Sequence, residues 1–263
     1  MKKLRFEYST ELLFEGSVTE HCFTLRCVPI SDGRQLVAEP KCEILPHGGS
    51  IWSSRDSFGN SLLCGRVAEG HESFSFHVTG EAEMIASDII SGSASPVYGY
   101  FSHLTAPGES ILKLREKLLP QINSTENILQ KASVISEGVY TNMKYQKGVT
   151  GVYTAAEEAM KKGGGVCQDY THIFLSLCRV FGIRCRYVSG LACENGETHA
   201  WAEVNDGEKW YGIDPANNRS INENYIKICH GRDYADCPIE RGVYMGSCGS
   251  SQKIFSLVKE RSQ

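Results

Sequence analysis

The amino-acid sequence predicts an α+β protein with an N-terminal antiparallel β-domain at residues 1–105 and a second domain of helices and strands at residues 106–263. Short runs of alternating apolar and polar residues, separated by turn-forming residues, fill the first third of the chain. Residues with helical periodicity follow a stretch rich in serine, glycine and proline at residues 91–96. This change of composition marks the predicted domain boundary.

The bulk composition agrees with a globular protein of two parts. A chain of 263 residues is long for one core and suits a domain of about 150 residues with a smaller one. Hydrophobic residues make up 41% of the chain and charged residues 22%, which excludes a disordered or fibrous protein.

The charge balance argues against two classes of partner. A net charge of -4, a pI near 6.1 and the lack of any lysine and arginine run predict no nucleic-acid partner. The first residues are too charged for a secretory leader, and no apolar stretch reaches membrane-spanning length. We therefore expect a cytoplasmic protein without a membrane partner, and the sequence does not indicate an oligomeric state.

Cysteines are frequent but show no pattern that indicates a metal. The eleven cysteines are an odd number at irregular spacings, so we expect reduced thiols. No C-x-x-C pair, H-E-x-x-H motif or cluster with zinc-ligand spacing occurs. The sequence therefore predicts neither a metal nor another cofactor.

The predicted strands of the first domain are short and lie between turn-forming segments. The alternating runs are residues 4–6, 22–28, 35–37, 61–64 and 73–78. The turns between them are residues 31–33, 46–49 and 58–60. We expect a mostly antiparallel, sandwich-like or barrel-like domain that holds no catalytic cluster.

Helical patterns open the second domain. Residues 111–119 have helical periodicity and are expected to end at Pro120, after which Asn123 can cap a second helix with Glu126 three residues on. The second helix carries an apolar stripe, which predicts one buried face. The stripe consists of Ile128, Leu129, Ala132, Ile135 and Val139.

A third, shorter helix is predicted before the glycine-rich segment. Thr154 and Glu157 form a capping-box signature for a helix that ends at Lys161 and Lys162. The glycines at residues 163–165 then break the helix.

Cys167 lies in the first turn of the next predicted helix, which Gly182 closes. Unpaired backbone N–H groups and the positive end of the helix dipole favour a thiolate there. The preceding glycines would let a substrate backbone approach the sulfur. A cysteine at a helix start is often only structural, so a catalytic role requires a base. The buried face of this helix comprises Tyr170, Ile173, Phe174, Leu177, Cys178 and Phe181.

His199 is the predicted base. His172 is closer in sequence but lies about 140° around the helix axis from Cys167, so we reject it. His199 lies on an alternating strand on which it shares a face with Trp201 and Glu203. A turn at residues 194–196 gives this strand room to return to the helix start. A histidine that merely packs on the sheet is the alternative.

Asp214 is the predicted partner of His199. Residues 210–215 form the neighbouring strand after a hairpin turn at residues 205–207, and the Asp-Pro step leaves the carboxylate at the strand edge. We expect Asp214 to accept the Nδ1 hydrogen of His199 and leave Nε2 for the sulfur. A turn-initiating aspartate is the alternative.

These motifs together resemble the bacterial transglutaminase-like superfamily. The segments that carry the resemblance are GGVCQDY at 164–170, HAWAEV at 199–204 and GIDP at 212–215. GRDYAD at 231–236 with RGV at 241–243 is similar to the family's C-terminal signature, and DSFGN at 56–60 to its N-terminal β-region. The resemblance implies a papain-like α+β core with Cys167, His199 and Asp214 as a catalytic triad. The family includes candidate cysteine proteases, transglutaminases and deamidases.

We therefore predict a thiol-dependent amide hydrolase for a peptide or protein substrate, with a thioester on Cys167 and His199 as base and then acid. The Cys167 backbone N–H and the side chain of Tyr145 are the candidate oxyanion donors. Transfer to an amine, deamidation and a non-catalytic scaffold stay open as alternatives. Arg184 and Arg186 would discourage a cationic amine near the cleft, which favours water as acceptor.

Overall fold

Strands dominate the first part of the chain, and helices enter only in the second part. The computed structural model describes residues 2–85, 94–193 and 196–261. The predicted boundary residues 91–93 and the turn residues 194–195 lie outside the described residues. An N-terminal antiparallel sheet, and helices packed on a second antiparallel sheet, confirm the α+β prediction.

We label the described strands and α-helices in chain order. The strands are β1 (Lys2–Leu25), β2 (Gln35–Leu45), β3 (Ser50–Arg55), β4 (Ser61–Val67), β5 (His71–Met84), β6 (Lys144–Tyr145), β7 (Gly164–Gly165), β8 (Cys185–Ala192), β9 (Thr198–Asn205), β10 (Trp210–Asp214), β11 (Arg219–Ser220), β12 (Tyr225–Gly231), β13 (Glu240–Met245) and β14 (Ser250–Glu260). The helices are α1 (Glu109–Asn123), α2 (Ile128–Asn142), α3 (Ala156–Lys162) and α4 (Cys167–Val180).

β1 is one strand of 24 residues, where the sequence predicted two separate short runs. Its first half pairs with β5 and β14, and its second half pairs with β4 and β13. The register with β5 shifts between Leu13 and Val18. A bulge re-aims a strand without ending it, so β1 continues through the segment where the alternation is broken.

The N-terminal sheet includes the C-terminal end of the chain. β13 and β14 both pair with β1, with Leu25 opposite Glu240 and Leu4 opposite Glu260. The sheet thus contains residues from both predicted domains, and the division at residue 105 stays a prediction. The return of the chain to β1 brings β13 and β14 beside the second sheet, where they form part of the cleft described below.

The second sheet has five antiparallel strands in the order β11-β10-β9-β8-β12. Helix α4 packs on β8 and β9, and α1, α2 and α3 pack against α4. All residues of α4 from Asp169 to Arg179 are buried, as expected for a central helix. β6 and β7 form a separate short parallel pair.

Two predicted helix boundaries are wrong. α1 continues through Pro120 to Asn123, because Ile122 extends the buried face of the helix beyond the proline. The missing N–H of Pro120 costs one hydrogen bond of the last turn, which the burial of Ile122 offsets. Asn127 rather than Asn123 caps α2, and its side chain accepts hydrogen bonds from the N–H groups of Leu129 and Gln130.

The predicted capping box of α3 is also wrong. Ala155 precedes α3 and gives no side-chain cap, and the Thr154 hydroxyl accepts from the Gly151 N–H instead. The Glu157 carboxylate caps a different helix, α1, where it accepts from the N–H groups of Gly108, Ser110 and Ile111. The predicted break after α3 is confirmed, because Gly163 adopts φ 65 and closes the helix.

Two side-chain amides join the N-terminal sheet to β12, which is an edge strand of the second sheet. The Gln35 amide accepts from the Lys227 N–H and donates to the Lys227 carbonyl. The Asn60 amide makes the same pair of bonds with the backbone of His230. Both amides satisfy backbone groups that an edge strand leaves unpaired. The DSFGN segment therefore has a structural role in joining the sheets.

Candidate active site

Cys167 is the first residue of α4, and its side chain is half-buried. Asp169 caps this helix start: its Oδ2 accepts from the Val166 N–H at 2.7 Å and from the Thr150 hydroxyl at 2.7 Å. Gly165 makes room for this carboxylate, since a Cβ there would lie 2.4 Å from Asp169 Oδ2. The predicted role of the glycines in substrate approach stays a prediction.

His199 and Asp214 lie on the neighbouring strands β9 and β10 and form a buried pair. His199 Nε2 is 2.8 Å from Asp214 Oδ2, and both side chains are almost fully buried. The prediction that Asp214 binds Nδ1 is wrong, because the carboxylate lies at the tip of the ring. Nδ1, the nitrogen nearer to the backbone, is left for Cys167.

The environment of His199 favours the imidazolium. Burial lowers its pKa, but hydrogen bonds to Asp214 and Cys167 and the charges of both groups outweigh burial and raise the pKa to about 10. Burial raises the pKa of Asp214, and its bonds to His199, Asn217 and Tyr225 outweigh that effect and lower it. The site therefore stabilises a positive ring beside the Asp214 carboxylate.

We expect the replacement of Cys167 by alanine to lower the pKa of His199 from about 10, because the hydrogen bond to Cys167 and the charge of Cys167 both raise this pKa. In the native protein the ring stays protonated between its ordinary pKa of 6.5 and about 10. In Cys167→Ala it should release its proton at a lower pH. Histidine NMR against pH measures this, and Cys248→Ala is the control. An unchanged titration would contradict the contact with the sulfur.

Asp214 is held by three further residues that the sequence did not identify. Its Oδ2 accepts from the Asn217 amide at 2.7 Å and from the Tyr225 hydroxyl at 2.8 Å. Its Oδ1 accepts from the N–H groups of Ala216 and Asn217 at 3.1 and 3.2 Å. Asp214 thus both initiates a turn and orients His199, so the two interpretations of this residue are compatible.

His172 faces away from this pair, as its position on α4 predicts. Its Nε2 accepts from the Tyr234 N–H at 3.2 Å, and burial lowers its pKa to about 3. This contact is the visible role of the GRDYAD segment, together with the ion pair between Arg232 and Asp236. His172 is therefore a neutral acceptor in the core.

Arg184 and Arg186 do not line the cleft, so the electrostatic argument built on them is wrong. Arg186 lies 2.6 Å from Glu203 and stacks on Trp210 at 4.1 Å. Arg184 donates to the Ala94 carbonyl at 2.9 Å. Neither residue borders the cavities that Cys167 and His199 line, so neither charge faces the cleft.

Tyr145 lies beside Cys167, because β6 pairs with β7 and sets Tyr145 opposite Gly165. Burial and the nearby charges of Cys167 and Glu197 raise its pKa to about 12, while a hydrogen bond with the Cys167 backbone opposes this shift. The phenol is therefore protonated at neutral pH and is available as a donor. Its role in an oxyanion site stays a prediction.

A cleft with two cavities opens over these residues. One cavity of about 660 Å³ borders both Cys167 and His199, and one of about 840 Å³ borders His199 without Cys167. Lys147 and Glu197 line both cavities and form an exposed ion pair of 2.8 Å. The wall opposite α4 comes from the N-terminal sheet. It consists of Thr10, Ile239, Glu240, Arg241, Gly242, Gln252 and Ile254.

No group of three or more metal-ligating side chains occurs within residues 2–85, 94–193 and 196–261. Across those same ranges, none of the helices combines the length and the apolar character that crossing a membrane requires.

Family comparisons agree with the fold and with the order of the motifs. Residues 116–215 match the transglutaminase-like superfamily, and this segment contains Cys167, His199 and Asp214. Residues 4–83 match the bacterial transglutaminase-like N-terminal region. The chain therefore belongs to the transglutaminase-like superfamily and carries the N-terminal region of its bacterial members.

Individual relatives extend over nearly the whole chain. An uncharacterized protein of Mycobacterium tuberculosis strain H37Rv is 25% identical over 282 residues, which span 92% of this chain and 87% of that protein. An uncharacterized protein of Mycobacterium leprae is 25% identical, with 94% of each chain covered. The crystal structure of a candidate cysteine protease from Cytophaga hutchinsonii has a TM-score of 0.80 at 19% identity and covers 100% of this chain and 92% of that one. This last likeness establishes a shared fold.

Proposed function

We propose that the protein is a thiol-dependent amide hydrolase, a cysteine peptidase that acts on a peptide or protein. The observation that carries this proposal is the buried His199–Asp214 pair in contact with Cys167 at the start of α4. A nucleophile, a base and a group that orients the base are the three parts that thiol acyl transfer requires. The candidate cysteine protease that shares the fold supports the same class of reaction.

In the first half of the proposed reaction, Cys167 Sγ attacks the carbonyl carbon of the amide and the oxygen becomes an oxyanion. The Cys167 backbone N–H and the Tyr145 hydroxyl are the proposed donors to this oxygen. The His199 imidazolium then gives its proton to the nitrogen as the carbon–nitrogen bond breaks. The products of this half are a free amine and a thioester on Cys167.

In the second half, neutral His199 takes a proton from water, and the hydroxide attacks the thioester. The carbon–sulfur bond breaks, the acid leaves, and Cys167 and His199 return to their starting charges. Asp214 keeps the His199 ring oriented through both halves, because the carboxylate is itself held in place. Its Oδ1 accepts from the Asn217 N–H, and its Oδ2 accepts from the Tyr225 hydroxyl. A cytoplasmic location is part of the proposal and is supported by the eleven free cysteines.

Transfer to an amine is the second candidate, and one observation favours it. The cavity of about 840 Å³ reaches His199 without touching Cys167, so a second substrate has a separate route to the base. Water reaches the same place and is present at about 55 M, whereas an amine competes only where a site binds it and excludes solvent. This cavity is open and has an exposed ion pair at its mouth, which favours water.

The competition between water and amine is the test of the proposed function. A peptide-amide library is first screened for an accepted substrate, and that substrate is then incubated with a labelled primary amine. We expect free acid to dominate over the amine adduct by mass spectrometry, with no product in Cys167→Ala. Predominant adduct that disappears in Cys167→Ala would show a transglutaminase. Complete absence of product across the library would favour the scaffold alternative.

A further inference from the structure

One face of the N-terminal sheet is open to solvent beside the cleft. Four strands contribute to it: β3, β4, the second half of β1, and β13. Cross-strand neighbours form two rows that run across the strands from β3 to β13. One row begins at Trp52 and ends at Arg241, and the other begins at Ser50 and ends at Val243. We call this surface the outer face. Its residues are Cys22, Thr24, Ser50, Trp52, Cys64, Arg66, Arg241 and Val243.

Each end of the outer face carries one exposed apolar side chain. Trp52 is 54% exposed on β3, and Val243 is 70% exposed on β13. Exposed apolar side chains that border one depression favour a binding surface, whereas singly scattered ones are ordinary. A shallow depression of about 610 Å³ lies between them.

The outer face is continuous with the catalytic cleft. Arg241 and Gly242 line both the depression on the outer face and the cavity that borders Cys167. Within the part of the chain that the structure describes, the Arg241 guanidinium forms no ion pair, whereas Arg66 is bonded to Glu20. The junction of the two surfaces therefore carries an unneutralised cation.

We propose that the outer face binds a segment of the substrate polypeptide that is remote from the amide bond held in the cleft. This inference rests on the proposed function. The segment would place a carboxylate at Arg241 and apolar side chains on Val243 and Trp52. Four strands span about 14 Å, which an extended peptide crosses in about four residues. The N-terminal sheet would thus select substrates by a sequence distant from the cleaved bond.

The size of the outer face favours a peptide over a second copy of the chain. Strands of six residues and a width of four strands give a surface of roughly 280 Å². A stable dimer buries about 800 Å² on each partner, well above this area. A peptide segment needs no more than the face provides.

Binding can be measured without turnover by using Cys167→Ala. The probe is fluorescein-labelled casein, an unfolded acidic polypeptide, and fluorescence anisotropy gives its Kd. We expect Trp52→Ser and Val243→Ser, each in the Cys167→Ala background, to raise Kd about tenfold. Tyr100→Ser is the matched control, because Tyr100 is 67% exposed and lines neither the cleft nor the outer face. In active enzyme, Trp52→Ser should raise KM for casein and leave short amides unchanged.

Three outcomes are decisive. Unchanged Kd in both outer-face variants overturns the proposal. A dimer in sedimentation experiments that Trp52→Ser dissociates also overturns it, because the face would then be occupied by a second copy. Casein binding that depends on Trp52 and Val243 in a protein without amide release supports the binding site and contradicts only the proposed function.

Discussion

Replacement of Cys167 by alanine is expected to lower kcat/KM for amide release by more than about 10⁴-fold, because no thioester forms without the sulfur. The effect should be much larger than the change in substrate affinity, since the cleft walls stay in place. Alanine also leaves the start of α4 intact, because the capping carboxylate of Asp169 binds the Val166 N–H and not the cysteine. Amide release from an accepted substrate is the measurement.

Cys248→Ala is the matched control for this prediction. Cys248 is also half-buried, but it lies in the connection between β13 and β14 and donates to the Gly16 carbonyl. Its replacement should leave the rate unchanged. Brief iodoacetamide treatment at about pH 6 gives an independent readout, since only Cys167 combines a helix start with an imidazole. Labelling mapped to another of the eleven cysteines, or full activity in Cys167→Ala, would refute the nucleophile assignment.

The sequence allowed the candidate site to be predicted because each member lies in a locally distinctive pattern. Cys167 follows glycines at a helix start, His199 lies on an alternating strand, and Asp214 precedes a proline. The structure brings all three together. The ring nitrogen that binds Asp214 was predicted wrongly, because strand order fixes which side chains meet and not which edge of a ring faces which partner.

The residues that the sequence did not reveal depend on long-range contacts. Tyr225 reaches Asp214 from β12, on the opposite side of the sheet order, and no local pattern indicates such a contact. The pairing of β13 and β14 with β1 joins the two ends of the chain and forms one cleft wall. The predicted cap of α3 was wrong for a related reason, because the Glu157 side chain caps α1 rather than its own helix.

The junction between the two sheets contains a buried set of charges that the sequence also did not show. Lys227 on β12 is 1% exposed, and its Nζ lies 2.8 Å from both Asp32 Oδ2 and Glu203 Oε1. Burial raises the pKa of Glu203, but Arg186 and Lys227 outweigh burial and hold it well below its usual range. Glu203 is therefore charged in the core and depends on both cations.

Replacement of Lys227 by methionine is expected to lower the free energy of unfolding by about 3 kcal/mol, because removing one partner of a buried ion pair leaves an uncompensated charge. The loss should be near the lower end of the range for such pairs, since Arg186 still lies 2.6 Å from Glu203. Urea unfolding measures it. The matched control is Lys113→Met, the same change in an exposed pair with Glu109, for which no measurable loss is expected. Equal stability of the two variants would show that the junction does not depend on this charge.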